Sequence, residues 1–528
     1  MAHVFGYEIG SAAQHRFTTH RSSRLSNRPL QASDVELVSS SPLCEDGVLD
    51  FGDVQGVAMR VRCWATGRCR YGRSCLGLAL VASLLWGGVA EAGGFTIPLV
   101  GGRMAGRMAF VGYPDDTSAM FHNPAGLVLI QGYRADLSVL GIYSGTNYQR
   151  YTGTYLARDA ATGISKTVGD QPLAPGVSPD PPLGVLPNGG FAGSFGLKGW
   201  AFGFGVYSPH NATGNFPVDG AQRYQVIKGT IATLYMMPTV AWRPLPWLAI
   251  GAQIGPTFAT IGYTRAQMIL GATDDAELEL DASAWSFAWG VGVLIQPIAP
   301  LSIGVSYSSQ TSFTFKGDIT LRKLPVGSVA GDANATSTTS RGKAEFDFPR
   351  ILRVGVNWRF SKAFDVGFDF QWQNYQVYDA INLSLDSPLR LSLLGQSVEI
   401  SDVKEPKDST DSISLALGGR YSPFERLDLR AGILYDSSPY PDETYTILNP
   451  DHDKAGFALG ATYTFSFGLE LTLAYVHLFY FDRTITETKV CQTLPLGGLT
   501  ACLPDTQAGG EIHGKQVIVF GLQTSYLF

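Results

Sequence analysis

From Tyr133 to the end of the chain, apolar and polar residues alternate. In Phe364–Trp372, Phe364, Val366, Phe368, Phe370 and Trp372 fall on one face, and Asp365, Gly367, Asp369 and Gln371 on the other. A period of two with aromatics on one side predicts a half-buried strand. Leu427–Tyr435 repeats the pattern with Asp428 and Arg430 on its polar face, and Leu352, Val354, Val356 and Trp358 stand opposite Arg353, Gly355 and Asn357. The connections alternate in length. Tight ones occur at Lys198-Gly199, Pro244–Pro246, Pro297–Pro300, Ser361-Lys362, Pro423–Arg426 and near Phe467-Gly468. Long polar ones fall near 152–188, 209–228, 266–281, 322–343, 386–410, 437–453 and 484–510. Between them lie about fourteen strands, which predicts an all-β fold, a 14-stranded antiparallel transmembrane β-barrel with short turns at one end and long loops at the other. The polar face must then line the lumen, because a charge facing lipid costs ~2–4 kcal/mol at mid-depth. A soluble β-sandwich would not explain long strands whose aromatics share a face with the aliphatics.

The final strand places Phe520, Leu522, Tyr526 and the terminal Phe528 on one face, interrupted only by Thr524. A last strand ending in phenylalanine is similar to the signal read by the barrel-assembly machinery of double-membraned bacteria, which is an expected partner along with outer-membrane lipid. Residues 93–132 precede the first strand, are rich in Gly, Ala and Met, and do not alternate. Their expected place is inside the barrel, as a hatch or plug, because a lumen of this strand number must be filled or left as a channel.

Composition agrees with this picture. Charged residues make up 16%, against about 25% in ordinary soluble proteins, while glycine (61) and aromatics (12%) are plentiful. Cys75–Ala90 is the one apolar run, and it is shorter than the ~20 residues of a membrane-spanning helix. It follows Arg60, Arg62, Arg68, Arg70 and Arg73 and ends in Ala90-Glu91-Ala92, the layout of a signal peptide. Residues 59–92 are therefore expected to be a signal peptide starting at Met59, with residues 1–58 a non-native or disordered extension. Removing 1–92 takes away 9 Lys+Arg and 8 Asp+Glu, leaving 30 against 37 and a net charge of −7. That balance argues against nucleic acid as a partner. The two cysteines remaining in 93–528, Cys491 and Cys502, suggest a disulfide across an exported loop.

Asp115-Asp116-Thr-Ser-Ala-Met-Phe-His122-Asn123-Pro124-Ala125-Gly126-Leu127 brings carboxylates, a histidine and an asparagine together. It could be chemistry or backbone engineering. There is no Gly-x-Ser-x-Gly elbow and no Walker loop, and no second ligand pair has metal spacing. No enzymatic activity, metal or cofactor is expected. His477 is the one candidate base on a long strand, and packing is the commoner role of such a residue.

The segment from Gly93 to Leu127 resembles the N-terminal hatch of the FadL/TodX outer-membrane transporters, whose hallmark is Asn-Pro-Ala, here Asn123-Pro124-Ala125. Met237–Trp242, Leu301–Ser308, Phe348-Pro349, Leu429–Asp436 and Asn449–Lys454 are similar to further motifs of that family in order and spacing, with Met237 in place of an asparagine. The resemblance covers residues 93–528. It implies 14 strands, a lumen plug, and a monomeric carrier of long-chain fatty acids or other hydrophobic compounds, by passive, plug-gated diffusion with lateral release. Aromatic hydrocarbon uptake is the nearest alternative; a general porin or an outer-membrane esterase is more distant. Phe121, Asn123, Pro124, Ala125 and Gly126 would form the hatch and gate, with Ala125 and Gly126 passing close to the barrel wall. Gly203 and Gly205 would either kink the third strand at a lateral opening or make room for the hatch. Arg353, Arg420 and Arg430, on lumen faces, would either meet a ligand carboxylate or pair with Asp365, Asp369 and Asp428 and hold the hatch.

Overall fold

The computed structural model describes Leu99–Phe528, apart from 153–156, 159–164, 167–171, 180–182, 270–271, 394–395, 449, 497–498 and 504–505. Upstream it describes only Val48–Asp50 and Arg60–Arg62, which pair antiparallel. The chain divides into two units, Met1–Leu76 and Gly77–Phe528. The rest of the expected signal peptide at 59–92, the rest of the 1–58 extension and residues 93–98 lie outside the described residues.

The second unit is a closed antiparallel barrel of 14 strands. They are β1 (Tyr133–Arg150), β2 (Leu183–Gly193), β3 (Trp200–Tyr207 and Asn211–Asn215), β4 (Lys228–Leu245) and β5 (Leu248–Gln267). Next come β6 (Ala276–Ile298), β7 (Leu301–Ser308 and Thr311–Arg322), β8 (Thr338–Phe348 and Ile351–Arg359) and β9 (Phe364–Gln373 and Ala380–Leu393). The last five are β10 (Gln396–Pro406 and Ser412–Phe424), β11 (Leu427–Asp436), β12 (Lys454–Thr464), β13 (Leu469–Tyr480 and Arg483–Ile485) and β14 (Gly510–Leu527). Each pairs with the next, and β14 pairs with β1 to close the ring. Closure joins the first and last strands, so neither is left as a free edge in the bilayer.

The alternation sorts side chains as hydropathy demands. Ile254, Phe287, Phe368, Leu417, Ile433, Leu459, Leu473 and Phe520 are exposed on the outer wall, while Asp365, Asp369, Arg430 and Gln523 are buried. A wall so apolar is untenable in water and suits lipid. Trp200, Trp242, Trp247, Phe360, Phe467 and Phe528 stand exposed near the short turns, and Trp285 and Phe287 higher on β6, as in the two aromatic girdles of such barrels.

One stretch departs from the sequence reading. Residues 386–410, expected as a loop, continue as strand in β9 and β10, paired from Leu389↔Ile400 to Leu393↔Gln396. Leu389, Leu391 and Val398 alternate with polar residues there and pack with Ile319 and Leu321 of β7, beyond β8, and with Leu324 of the connection that follows. A patterned hairpin was masked by its Asp and Ser content.

Candidate functional site

Residues 99–130 do not form strand; they lie against the inner faces of the barrel. Two short helical turns, Gly102–Ala105 and Ala119–His122, and a 3₁₀ turn, Pro124–Leu129, give the segment its shape. Asn123 organises the last of these. Its φ of −160° and ψ of 101° are extended, as the residue before proline prefers. Its Oδ1 accepts from the Ala125 amide at 3.2 Å, capping the turn that Pro124 starts. Its Nδ2 donates to the Val111 carbonyl at 3.3 Å and to Val293 of β6 at 3.0 Å. One amide thus ties the turn to itself, to the rest of the segment and to the wall.

The wall is shaped to receive backbone. A methyl group added at Gly292 would fall 2.8 Å from Pro124 Cδ, at Gly304 2.8 Å from the Val111 carbonyl carbon, and at Gly460 2.9 Å from Gly106 Cα. Gly251 faces the Pro124–Ala125 peptide, and Gly418 and Gly432 both face the Arg107 carbonyl. Gly251 and Gly292, Gly304 and Gly355, and Gly418 and Gly432 are cross-strand partners. The glycines form paired notches in which the segment sits. Ala125 is next to the wall, whereas Gly126 is not: its close neighbour is Pro114 of the segment itself.

Ion pairs fix the same segment. Arg103 bonds Asp115 at 2.8 Å and Glu470 of β13 at 2.5 Å; Glu470 also pairs with Arg134 of β1 at 2.8 Å. Arg107 reaches Asp365 of β9 at 2.6 Å, and Arg420 meets the other oxygen of that carboxylate at 2.8 Å. Asp369 accepts from the Val111 amide at 2.8 Å. Asp116 is bonded by Ser118 and, at 3.1 Å, by Gln523 of β14. Buried charges of this kind require partners, and every one of these has them.

The three candidate arginines divide. Arg420 and Arg430 pair with Asp365 and Asp428. Arg353 is fully buried, bonds Gln371 and Ser308 and no carboxylate among the described residues, and lies 4.6 Å over the Phe121 ring. His122 donates from Nε2 to the Val100 carbonyl at 2.8 Å. Burial, with the nearby Arg353 charge, pushes its pKa down to about 3, against the weaker opposing effect of that hydrogen bond. The ring is neutral and structural.

Gly203 and Gly205 stay in regular register with β4, and a methyl group at either would meet Met120 of the segment. The interruption of the third strand lies beyond them, at Ser208–His210. There Tyr207↔Tyr235 is followed by Asn211↔Ala232, so four steps on β3 span three on β4, which is a bulge. Beyond it β3 leaves β2. Pairing between them runs only from Gly193↔Phe202 to Gly189↔Val206. Among the described residues, Leu183–Asn188 then pair with β1 alone and Asn211–Asn215 with β4 alone, and the Ser208 amide to Asn188 Oδ1 bond at 3.3 Å bridges the edge of the gap.

Above the segment is a cavity of about 140 Å³. Ile231, Ile261, Leu278, Leu280, Phe346 and Leu383 give it apolar walls, and Arg265 and Glu405 also line it. Glu405 is paired with Lys407 at 2.6 Å; Arg265 Nε is buried without a hydrogen bond among the described residues. Arg265 follows Ile261 and Tyr263 on the inward face of β5. The sequence gives it no distinctive signal: it stands at the end of its strand, immediately before the loop expected near 266–281. Over the mouth, Gln225 bonds Tyr148 and Ile447, and Gln492 bonds Tyr224, Ala266 and Met268, knitting the long connections together. Cys491 and Cys502, beside Gln492, are disulfide-bonded with Cα atoms 5.8 Å apart.

Residues 83–528 match the family described as outer membrane protein transport protein (OMPP1/FadL/TodX). Outer membrane protein P1 of Haemophilus influenzae is 26% identical over 198 residues, 38% of this chain and 39% of that one. A second H. influenzae outer membrane protein P1, of strain Rd, is 23% identical over 440 residues, 76% of this chain and 89% of that one. A long-chain fatty acid transport protein of Escherichia coli is 22% identical over 213 residues, 39% of this chain and 45% of that one. The chain spans less than half the length of the first two curated relatives it matches. Among solved structures, a Pseudomonas aeruginosa FadL homologue superposes with TM-score 0.64 at 20% identity, covering 82% of this chain and all of that one. The Pseudomonas putida toluene transporter TodX gives 0.57 at 15% identity, covering 84% and all. The chain belongs to the FadL/TodX family and is a multi-pass β-barrel of the outer membrane.

Proposed function

We propose that the chain carries long-chain fatty acids across the outer membrane by passive diffusion, gated by the 99–130 segment and released sideways between β2 and β3. The cavity carries this reading. Its apolar walls suit an alkyl chain, worth about 0.8 kcal/mol per buried CH₂, and Arg265 offers a guanidinium edge of the kind that binds carboxylates. A gate is supported by the depth of the segment's bonding to the wall, and lateral release by the unpaired stretch between β2 and β3. A dry side exit would deliver an apolar ligand to the bilayer without crossing water.

A general porin accords poorly with a lumen holding so many buried rings and a bonded segment. An esterase accords poorly with the histidines. His122 is spent on the Val100 carbonyl, and His477 lies between Tyr475 and Gln516. Uptake of aromatic hydrocarbons, the remaining alternative, would use the cavity but not Arg265. Native mass spectrometry of the purified barrel tests the reading. A retained long-chain carboxylate supports it, a retained hydrocarbon selects the alternative, and passage of sugars by reconstituted vesicles without either ligand overturns both.

A further inference from the structure

Between the cavity and the β2–β3 gap, the lumen is filled by rings. His210 lies in the interruption of β3, and its imidazole stacks on Phe348 of β8 with centroids 4.5 Å apart and planes 12° from parallel. Phe348 meets Phe313 edge-on at 5.3 Å, and Phe346, a wall of the cavity, edge-on at 5.8 Å. On the other side, Tyr235 is 5.7 Å from His210 and stacks on Tyr207 at 5.9 Å; Tyr207 in turn meets Phe121 of the N-terminal segment at 5.3 Å. His210 and Phe348 are both buried. The stack therefore has the cavity wall on one side and the rim of the gap on the other. The His210 amide donates to Thr233 Oγ1 at 3.2 Å, and that hydroxyl donates back to the His210 carbonyl at 2.8 Å. With the backbone pinned in this way, an opening here must come from the rings turning, not from the strand moving.

We infer that the His210–Phe348 stack is a specificity-determining constriction on the way out, acting separately from the N-terminal segment. This rests on the carrier reading above. Two flat rings in face contact part by side-chain rotation. Parted, they leave a slot that takes an extended alkyl chain one methylene at a time, whereas a fused-ring plate needs the whole layer displaced, against rings packed on every side. The cavity accordingly binds a wider range of ligands than the exit releases.

The test uses full-length protein reconstituted in phospholipid vesicles, with palmitate and a pyrene-tipped decanoate as probes, scoring binding and transfer separately. The protein is expected to bind both, to transfer palmitate and to retain the pyrene probe. Phe348→Ala and His210→Ala should raise pyrene transfer about tenfold, a barrier change of ~1.4 kcal/mol, with far less effect on palmitate. Phe348→Leu, which keeps the layer filled, guards against misfolding and should give a smaller gain. Equal transfer of both probes by the unsubstituted protein overturns the inference, as does an unchanged ratio in all three variants. Binding of neither probe overturns the carrier reading, and this one with it.

Discussion

Replacing Gly418 by alanine asks whether the notched wall holds the N-terminal segment. A methyl group there would lie 2.9 Å from the Arg107 carbonyl carbon and 3.1 Å from its Cγ, where carbon atoms ordinarily meet at about 3.5–4.0 Å. Gly432, its cross-strand partner, backs the same carbonyl so closely that a methyl of its own would fall 2.7 Å from the carbonyl carbon. The methyl would also overlap the Arg107 carbonyl oxygen itself, so with the wall behind it Arg107 must retreat into the lumen by at least roughly 1 Å, the difference between those distances. Retreat stretches its 2.6 Å bond to Asp365. Overpacking of this kind costs about 1–3 kcal/mol, and it falls on the seated segment, not on the barrel, because the φ of Gly418 is one that alanine adopts freely. A shift of that size raises the population of unseated segment by roughly 5- to 150-fold. Amide hydrogen exchange across 104–112 should quicken by that factor, and ion conductance in planar bilayers should rise with it. Gly419→Ala is the control. Its methyl would meet Asp365 O at 3.2 Å and nothing of the segment. If Gly418→Ala leaves both exchange and conductance at the level of Gly419→Ala, the seating argument is wrong.

Other perturbations separate the remaining contributions. His122 is neutral and depressed to about 3, so its contribution is complete above its unfolded value near 6.5 and is lost as pH falls from there toward 3; at pH 5 the loss is about 2 kcal/mol. Conductance should therefore rise on acidification, and the rise should shrink in His122→Gln; an identical pH profile would exclude His122 as the cause. Asn123→Ala removes the bonds to Ala125, Val111 and Val293 and should destabilise the seated segment by roughly 1–3 kcal/mol, seen as proteolysis near 111–125 with the barrel intact. Arg265→Met should weaken palmitate binding about tenfold, consistent with one charged hydrogen-bonded partner, while leaving toluene binding unchanged in the same titration; equal losses would mean that the arginine shapes the cavity and does not meet a carboxylate.

Strand number and facing were legible because lipid and lumen impose opposite chemistry on alternate residues, as Phe368 and Asp369 illustrate. Asn123-Pro124 was legible because its signal is local: an extended residue before proline with a capping amide. The glycines were not. Gly304 and Gly418 look like weak points in their strands, and only the three-dimensional register reveals that each faces a carbonyl from a segment some two to three hundred residues earlier. The same limit applies to charge. Nothing local distinguishes Arg420, paired with Asp365, from Arg353, which rests on Phe121. Gly203 and Gly205 drew attention as flexible residues, but the strand breaks where an extra residue must be accommodated, at Ser208–His210.

The seam of the barrel bears on how the protein is built. Gly102, near the start of the segment, bonds Gln523 of the last strand across 421 residues of chain. Arg134 on β1 meets Ser525 on β14 and Glu470 on β13. The segment precedes every barrel strand in the chain, yet part of its seat is completed only when the final strand arrives and the ring is shut. Until then Arg103 lacks Glu470 and Asp116 lacks Gln523, so full seating depends on closure. In biogenesis, the seated segment would mark a finished barrel, and an unclosed intermediate would hold it loosely, open to quality-control proteases.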